Sequence, residues 1–409
     1  MLLDEETLAK LKEFASQEDL KYQQMPGLTQ AEAADRSYLN NAIFQRENGD
    51  ISLLDIGSNL GYFCLEASKR GFEQAVGIDP DVDNIRKADR IAKIFKSNAE
   101  YIEGNFEGYD WGKRKFDVVL CLNVLHHLFD PVHAIRKMIH LAQKRIVIEF
   151  AEPRLHDVLR GKLPPSAYFS LIGPAIVLGS PEHYSDGRRT FVFTRKAMRV
   201  IFNKHHSVFE PLKLTRSPFK GRVIAEATRR QIDHLVVVAG PTAAGKTTLI
   251  SKLQTDPKLR SALSLETSSI PVCNAGGKVL PAGKLKEAFF HYDILRPYRR
   301  SLRSIGRDIS TQLLTVPNRL TVVTLMTETE TMQDRMVREG FTDKRGARHL
   351  AIHERYNDPE FLRRWYYEWF MTVGSLAPTA EHRVVTTDAE GAYSLSDTSD
   401  ARGVMEVIR

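Results

Sequence analysis

Two segments of the chain share one pattern, in which a short apolar run leads through a glycine-bearing turn into an amphipathic stretch. The first is ISLLDIGSNLGYFCLEASKRG at 51–71, and the second is HLVVVAGPTAAGKTTLISKLQ at 234–254. Short apolar runs that end in glycine turns indicate buried strands, and the stretches that follow have helical spacing. Each segment therefore predicts the opening strand, loop and helix of a parallel α/β domain.

Further apolar runs continue this pattern and divide the chain into two domains. AVGIDP, FDVVLCL and KRIVIEF are predicted strands, and SVFEPLKL and RVIAEAT are predicted to close the first sheet as an antiparallel pair. We expect an α/β fold throughout, with a Rossmann-like seven-stranded sheet in residues 1–230 and a parallel α/β domain in residues 231–409.

Two regions of the first domain depart from the pattern. Residues 1–50 precede the first strand and are predicted to form a cap, in which Tyr22, Asp35 and Arg36 are candidates for substrate contact. Residues 155–190 contain several prolines and glycines between apolar patches. This segment predicts either a lid beside the first site or a packed surface excursion, because long loops in compact domains are often functional.

Composition and charge narrow the class of protein. Hydrophobic residues make up 42% of the chain, enough for packed cores, and no apolar run approaches the roughly 20 residues of a membrane-spanning helix. The three cysteines form no CxxC pair, which argues against a disulfide scaffold and favours the cytoplasm. The net charge of +7 permits a polyanionic partner without requiring one.

The first glycine turn indicates a nucleoside ligand that has no diphosphate. A dinucleotide fold needs a glycine in the middle of GxGxxG so that the backbone can approach a pyrophosphate. Here Asn59 stands at that place, between Gly57 and Gly61. Asp79 ends the next predicted strand, where its carboxylate can accept hydrogen bonds from ribose hydroxyls.

These residues resemble the class I S-adenosylmethionine-dependent methyltransferases, in LLDIGSNLGYF, GIDPD and FDVVLCLNVLHHLFDP, over residues 35–228. The resemblance implies that Gly57 and Gly61 pass the methionine part of the cofactor and that Asp79 holds the ribose. It places adenine at Asn105 or Phe106. The implied cofactor-binding residues are Asp55, Gly57, Asn59, Gly61, Asp79, Asn105, Phe106 and Asn123.

The acceptor of the methyl group is less defined by the sequence. Methyl transfer requires alignment of donor and nucleophile, and a hydroxyl acceptor also requires a base. His126 is a candidate base near the cofactor mouth, with a structural role for His126 and His127 as the alternative. The chain has no Asn/Asp-Pro-Pro-Tyr and no Pro-Cys, which disfavours methylation of adenine amino groups or of cytosine carbon 5 in DNA.

The second glycine turn matches GxxxxGK[ST] in full and predicts a nucleotide-binding P-loop. Backbone N–H groups between Gly240 and Gly245, and at Thr248, would surround the phosphates at a helix N-terminus. Lys246 would reach the β- and γ-phosphates of ATP or GTP, and Thr247 would contact Mg²⁺.

The rest of this domain resembles P-loop small-molecule kinases. Asp293, at the end of a predicted strand, is a candidate Mg²⁺ ligand or general base, and Glu266 is a second candidate base. Arg335 is a candidate to neutralise the transferring phosphoryl group; neighbouring arginines with the same expectation are Arg338, Arg345 and Arg348. The alternative for each arginine is a solvated helix face.

Two further clusters have a functional and a structural interpretation. If the basic run at 296–307 formed a helix, several of its arginines would lie on one side of that helix. That side would be either an anion-binding site or a solvated face. The aromatic run EFLRRWYYEWF at 360–370 predicts core packing or an interface, with base stacking as the alternative.

The leading hypothesis is a bifunctional cytoplasmic enzyme that transfers methyl groups from S-adenosylmethionine and phosphoryl groups from ATP or GTP. Its acceptor would be a hydroxyl of a glycan or a small metabolite. A second hypothesis is an RNA methyltransferase, acting on tRNA or another RNA, with an end-kinase domain. A third makes the P-loop domain a regulatory NTPase.

Overall fold

The computed structural model describes residues 4–18, 36–44, 50–153, 155, 159, 173–178, 191–205, 207–219, 221–274, 278–340, 347–387 and 393–396. The chain divides into two compact units. The first unit comprises Met1–Lys204 and Pro211–Arg229, and the second comprises His205–Glu210 and Arg230–Arg409. The sequence assigned His205–Glu210 to the first domain, whereas the structure groups this short segment with the second unit.

The first unit contains a mixed seven-stranded sheet and a separate pair of strands, with helices in several of the connections. Its strands are β1 (Ser52–Ile56), β2 (Gln74–Asp79), β3 (Glu100–Glu103), β4 (Phe116–Leu122), β5 (Ala142–Ala151), β6 (Ile176–Leu178), β7 (Phe191–Phe193), β8 (Lys213–Arg216) and β9 (Arg222–Thr228). Its helices are α1 (Glu5–Gln17), α2 (Asn40–Ile43), α3 (Tyr62–Lys69), α4 (Val82–Ile94), α5 (Pro131–Leu141) and α6 (Arg195–Asn203).

The order of this sheet is β3-β2-β1-β4-β5-β9-β8, while β6 and β7 form a separate hairpin pair. The first five strands of the order are parallel, and β9 runs antiparallel to both β5 and β8. The α/β fold and the seven-stranded sheet predicted for this domain are confirmed. Every residue of β1 is buried, as expected for a strand covered on both faces.

One predicted strand of this sheet is wrong over most of its length. The run at 207–214 was expected to form a single strand, but β8 begins only at Lys213. Pro211 has no N–H to donate to a strand ladder, which favours the break between this run and β8. The residues before it belong to the second unit.

The N-terminal helix of the predicted cap packs onto the first unit. Asp4 caps α1 by accepting a hydrogen bond from the Thr7 backbone N–H. Leu11 and Phe14 of α1 are buried in a cluster with Ile91 of α4. Of the other cap candidates, Tyr22 and Asp35 lie outside the described residues, as does nearly all of the predicted lid at 155–190.

The second unit has a six-stranded sheet in the order β11-β12-β10-β13-β14-β15, parallel except for its last strand. Its strands are β10 (Ile232–Gly240), β11 (Val272–Asn274), β12 (Leu285–Asp293), β13 (Arg319–Thr327), β14 (Glu381–Thr387) and β15 (Tyr393–Ser396). Its helices are α7 (Lys246–Thr255), α8 (Pro257–Ala262), α9 (Arg296–Arg299), α10 (Thr329–Arg338), α11 (Ala347–Arg355) and α12 (Pro359–Leu376).

The aromatic run at 360–370 lies on α12 and contributes to the core. Trp365, Tyr366, Trp369 and Phe370 are all at most 5% exposed, and Trp369 stacks on Tyr292 of β12 at 5.0 Å. These rings offer no open face to a base, so the nucleic-acid stacking alternative is wrong.

The basic run at 296–307 does not form one helix. It begins with α9, which is only four residues long, and continues into a 3₁₀ turn at Ile305–Arg307. A single helix that gathers several of these arginines on one side is therefore not formed, and only Arg296 and Arg299 lie on α9. None of the described helices combines the length and apolar character that crossing a bilayer requires.

Candidate functional sites

The glycine turn after β1 has a backbone path that requires its glycines. Gly57, Asn59 and Gly61 have φ values of 69°, 51° and 80°, in the left-handed region. A Cβ atom on Gly61 would lie 2.2 Å from the Tyr101 hydroxyl oxygen, and one on Gly57 would lie 2.4 Å from a methyl carbon of Val124. The turn is thus fixed both by its dihedral angles and by close packing.

Asp79 is held against this turn by three hydrogen bonds. One carboxylate oxygen accepts from the Asn59 backbone N–H at 2.9 Å. The other accepts from the Asp81 backbone N–H at 3.0 Å and from the Asn84 side-chain amide at 3.4 Å. An ionised carboxylate has about four lone-pair positions, so about one remains for a ribose hydroxyl. The sequence predicted that Asp79 accepts hydrogen bonds from both ribose hydroxyls. Both bonds could form only if the long contact from the Asn84 side chain were displaced.

Asp55 lies beside Asp79, almost fully buried at the end of β1. Burial, followed by the charge of Asp79, raises the pKa of Asp55 to about 8. At neutral pH its carboxyl group is therefore mostly protonated. A cation placed here would favour the ionised form.

Unsatisfied polar atoms indicate that the turn can accept a polar ligand. The Ser58 hydroxyl oxygen and the Asn59 side-chain oxygen are buried, and neither finds a hydrogen-bond partner among the described residues. Buried polar groups are normally paired, so such atoms are expected to meet a ligand or water. This observation, with the tight glycines, fits a nucleoside cofactor at this turn.

The two residues expected at adenine lie in different environments. The ring of Phe106 is buried and packs 6.3 Å from the ring of Trp111, measured between centroids. Asn105 is exposed, and its side-chain oxygen accepts a hydrogen bond from the Glu107 backbone N–H. Contact with adenine would therefore involve Asn105 and the local backbone rather than an exposed face of Phe106.

Asn123 and His126 follow β4 in the expected region. Asn123 has a positive φ of 62°, and its N–H donates to the Glu149 carbonyl oxygen at 2.9 Å. Burial, and then the nearby His127 and Arg222, lower the pKa of His126 to about 3. The buried Nδ1 atom of His126 has no partner among the described residues. A ring this weakly basic is neutral at pH 7 and is poorly suited to remove a proton.

A charged cluster centred on Glu149 was not predicted from the sequence. This residue is fully buried in β5, and its carboxylate accepts from Tyr38 Oη at 2.6 Å and from Ser217 Oγ at 2.7 Å. Arg36 and Arg222 contact the same carboxylate at 3.3 and 3.4 Å. The available signal was one acidic residue within the apolar run IVIEF. The cluster fixes the end of β5 next to Asn123.

In the second unit, the P-loop joins β10 to the N-terminus of α7. Gly245 has a φ of 94°, and Ala243 also has a positive φ of 65°. A Cβ atom on Gly240 would lie 3.1 Å from the Leu325 carbonyl oxygen, so β13 packs closely against the start of the loop. The loop therefore has the strand–loop–helix geometry that phosphate binding requires.

Lys246 is buried under this loop. Its Nζ donates to the carbonyl oxygens of Gly240 and Pro241, the first at 2.9 Å. Burial lowers the pKa of Lys246 to about 8, partly opposed by the charge of Asp293. The ammonium group is thus held inside the loop, where an anion would stabilise its charged form.

Asp293 ends β12 beside the P-loop. One carboxylate oxygen accepts from the Thr242 hydroxyl and from Arg299, both at 2.8 Å, and the other accepts from the Leu295 backbone N–H. Burial alone would raise the pKa of Asp293, but Lys246 and Arg299 more than offset burial and leave it below its ordinary value. Asp293 is therefore ionised and already committed to three donors.

A cavity of about 870 Å³ opens above the P-loop. Its lining includes the predicted Gly245, Lys246, Thr247, Thr248, Asp293 and Arg335. Five cationic residues line it against two anionic ones: Lys246, Arg296, Arg299, Arg335 and Arg338 against Asp293 and Glu339. The excess of positive charge suits a polyphosphate. Arg345 lies outside the described residues, as does the side chain of Arg348.

Glu266 does not reach this cavity. Its exposed carboxylate pairs with Lys286, near the first residues of β12, whereas Asp293 is the last residue of that strand. The two ends of β12 are eight residues apart in an extended strand of nine, so they lie at opposite edges of the sheet. Glu266 was predicted to be a base because it is an acidic residue at the end of an apolar run, and that expectation is wrong.

His291 also lines the cavity above the P-loop and was not predicted from the sequence. It lies on β12 and places Nε2 at 3.4 Å from the Thr247 hydroxyl oxygen. Its signal was its position two residues before Asp293, since alternate residues of a strand face the same side.

Comparisons with known proteins match the first unit. Residues 29–216 match a family model described as a methyltransferase domain. This match ends before β10.

Curated relatives match over short segments. A tRNA U34 carboxymethyltransferase of Campylobacter hominis is 35% identical over 85 residues, covering 20% of this chain and 30% of the relative. The protein of the same name from Campylobacter jejuni is 26% identical over 129 residues, covering 32% and 44%. The match thus spans less than half the length of these relatives.

The matches to solved structures cover about half of the chain. The N-terminal domain of EvdMO1 in the presence of SAH and D-fucose is 16% identical, with a TM-score of 0.40, over 56% of this chain and 98% of that chain. The magnesium protoporphyrin IX methyltransferase of Synechocystis PCC 6803 with bound SAH is 18% identical, with a TM-score of 0.34, over 47% and 79%.

Proposed function

We propose that the first unit transfers a methyl group from S-adenosylmethionine, or a substituted methyl group from a derivative of S-adenosylmethionine that already carries it on the sulfonium sulfur. The observation that carries this proposal is the contact between the glycine turn and Asp79, through the Asn59 N–H at 2.9 Å. Bound S-adenosylmethionine supplies an electrophilic methyl group on a positively charged sulfur. Asp79 would accept a ribose hydroxyl, while Asp55 would face the cationic part of the donor.

We propose that His126 positions the methyl acceptor and does not remove a proton from it. With a pKa of about 3, the ring of His126 is neutral at pH 7, and in the tautomer with the proton on Nε2 its Nδ1 atom can accept a hydrogen bond from the acceptor. The Glu149 cluster would hold the neighbouring Asn123 backbone in place. Alignment of this kind is a major source of rate enhancement in group transfer.

The acceptor we favour is RNA, with tRNA as the first class to test. The support comes from the relatives named tRNA U34 carboxymethyltransferase, together with the net charge of +7. A hydroxyl of a glycan or small metabolite is the rival acceptor. RNA binding would weaken steeply with salt, because phosphate contacts release counterions.

We further propose that the second unit binds ATP or GTP and transfers its terminal phosphoryl group. The cationic cavity around Lys246 favours this second candidate function. Lys246 would leave the loop carbonyls for the β- and γ-phosphates, and Arg335 would balance charge on the transferred group. Asp293 would orient the acceptor through the same carboxylate that now binds Thr242. Magnesium, held by Thr247 and phosphate oxygens, would supply additional charge neutralisation.

Two variants test whether these are separate sites. Lys246→Ala should abolish nucleotide binding and leave donor binding intact, and Asp79→Ala should do the reverse. Isothermal titration calorimetry on the full chain measures both. Loss of both activities from either variant in a folded protein would contradict two independent sites.

Labelling distinguishes the acceptors and the role of the nucleotide. The full chain would be incubated with cell extract and either a methyl-labelled donor or γ-labelled ATP, with and without ribonuclease. Label that disappears with ribonuclease supports RNA, and the mass of the modified nucleoside separates methyl from carboxymethyl transfer. Nucleotide hydrolysis with no labelled acceptor would instead support a regulatory NTPase.

A further inference from the structure

A histidine lies beside the predicted metal contact of the P-loop. Thr247 is the second residue of α7, and its hydroxyl oxygen is 3.4 Å from Nε2 of His291. Both side chains line the cavity that also contains Lys246. An imidazole nitrogen therefore stands beside the hydroxyl expected to meet a nucleotide-bound cation.

The carboxylate that the sequence assigned to this cation is engaged elsewhere. Asp293 accepts hydrogen bonds from Thr242, from Arg299 and from the Leu295 backbone N–H. Three of its roughly four lone-pair positions are thus occupied by protein donors. In the register of the sheet, Asp293 pairs with Gly240, whereas His291 pairs with Val238, two residues further from the loop. The two side chains therefore serve different parts of the cavity.

We propose that His291 Nε2, together with Thr247 Oγ1, contacts the divalent cation bound to the nucleotide. This inference rests on the proposed nucleotide binding by the second unit. Phosphate oxygens and water would complete the coordination shell, as is usual for nucleotide-bound cations.

The chemistry of imidazole gives this site a distinct metal preference. Imidazole is a good ligand for first-row transition ions, whereas Mg²⁺ prefers oxygen ligands and gives up its water reluctantly. The site is therefore expected to bind the nucleotide more tightly with Mn²⁺ or Co²⁺ than with Mg²⁺. His291→Asp, which replaces the nitrogen by carboxylate oxygens, should reduce this preference about tenfold.

The direct test is pulsed electron paramagnetic resonance on the full chain with ¹⁵N-labelled histidine, Mn²⁺ and ADP. The expected result is a ¹⁵N coupling to manganese that is retained in His349→Ala and absent in His291→Ala. His349 is the matched control because it is another histidine that lines the same cavity. Should His291→Ala fail to fold, His291→Asp takes its place, and the ¹⁵N coupling should be absent in that variant as well.

The outcomes separate this inference from the function on which it rests. Binding of ADP with Mn²⁺ but without any ¹⁵N coupling would overturn the histidine contact and leave the nucleotide site standing. A coupling that survives in His291→Ala but disappears in His349→Ala would also overturn it. Absence of ADP binding under all metal conditions would overturn the nucleotide site itself.

Discussion

Asp55 is buried close enough to Asp79 for the charges of the two carboxyl groups to interact. Burial, and to a smaller extent the charge of Asp79, raises the pKa of Asp55 to about 8. The two carboxyl groups lie at the ends of adjacent parallel strands, beside the glycine turn. The protonation of Asp55 therefore depends on the charge of any ligand that binds beside the two carboxyl groups.

Donor binding should therefore depend on pH. A cationic sulfonium donor favours ionised Asp55, so binding near pH 7 should release a proton. Its affinity should rise from pH 6 to 8, by at most about tenfold per pH unit, and level off above pH 8. Calorimetry in two buffers of different ionisation enthalpy measures the released proton. Asp55→Asn should show equal heats in both buffers; equal heats in the unmodified protein would contradict the linkage.

Gly61→Ala should destabilise the first unit by about 2–4 kcal/mol. The added Cβ would meet the Tyr101 hydroxyl and would also occupy a strained φ. Gly71→Ala is the matched control, because Gly71 has a φ of 84° but has no atom within 4 Å of its added Cβ. It should cost only about 1–2 kcal/mol. Urea denaturation measures both, and equal losses would show that packing at Gly61 contributes nothing.

Glu149→Ala should cost about 3–5 kcal/mol of unfolding free energy, because it removes a buried carboxylate that two guanidinium groups contact. Glu100→Ala provides the comparison. That glutamate pairs at 2.7 Å with Arg114, its side chain is 49% exposed, and its loss should cost about 0–1 kcal/mol. Thermal unfolding compares the two. A small effect at Glu149 would mean that the cluster does not stabilise the end of β5.

Nucleotide affinity should fall as the pH rises above about 8. Lys246 has a pKa of about 8 in the free protein, and a phosphate ligand stabilises only its charged form. Below pH 8 the lysine is already protonated, so this contribution should be nearly constant there. Dissociation constants measured from pH 7 to 9.5 test the expectation. An affinity that stays flat across this range would show that Lys246 does not contact phosphate.

The sequence allowed accurate prediction of features that depend on local pattern. β4 and β9 have the bounds expected from their apolar runs, and Asp79 lies against the glycine turn because adjacent parallel strands end at one edge. Features that depend on tertiary pairing were not accessible. Nothing local shows that Asp293 binds Arg299 or that Glu266 lies at the far end of β12.

The aromatic and basic runs show the same limit. The aromatic content of 360–370 indicated core or interface packing, but only the structure shows that the run lies on α12 and which rings the core covers. The arginine run contains no acidic residue before Asp308, yet α9 ends after four residues. Its Pro297 is compatible with the first turn of a helix and gives no signal for where that helix ends.

The segment His205–Glu210 has a practical consequence for any attempt to divide the polypeptide. Its Val208 carbonyl accepts from the Arg230 N–H at 2.8 Å, and its Glu210 carboxylate accepts from the Gly283 N–H at 2.7 Å. A fragment that starts at Arg230 would leave both of these donors without their acceptors and would expose the surface that the segment covers. Expression of the second unit by itself thus calls for a start before residue 205, with the β8–β9 hairpin either retained or replaced by a short linker.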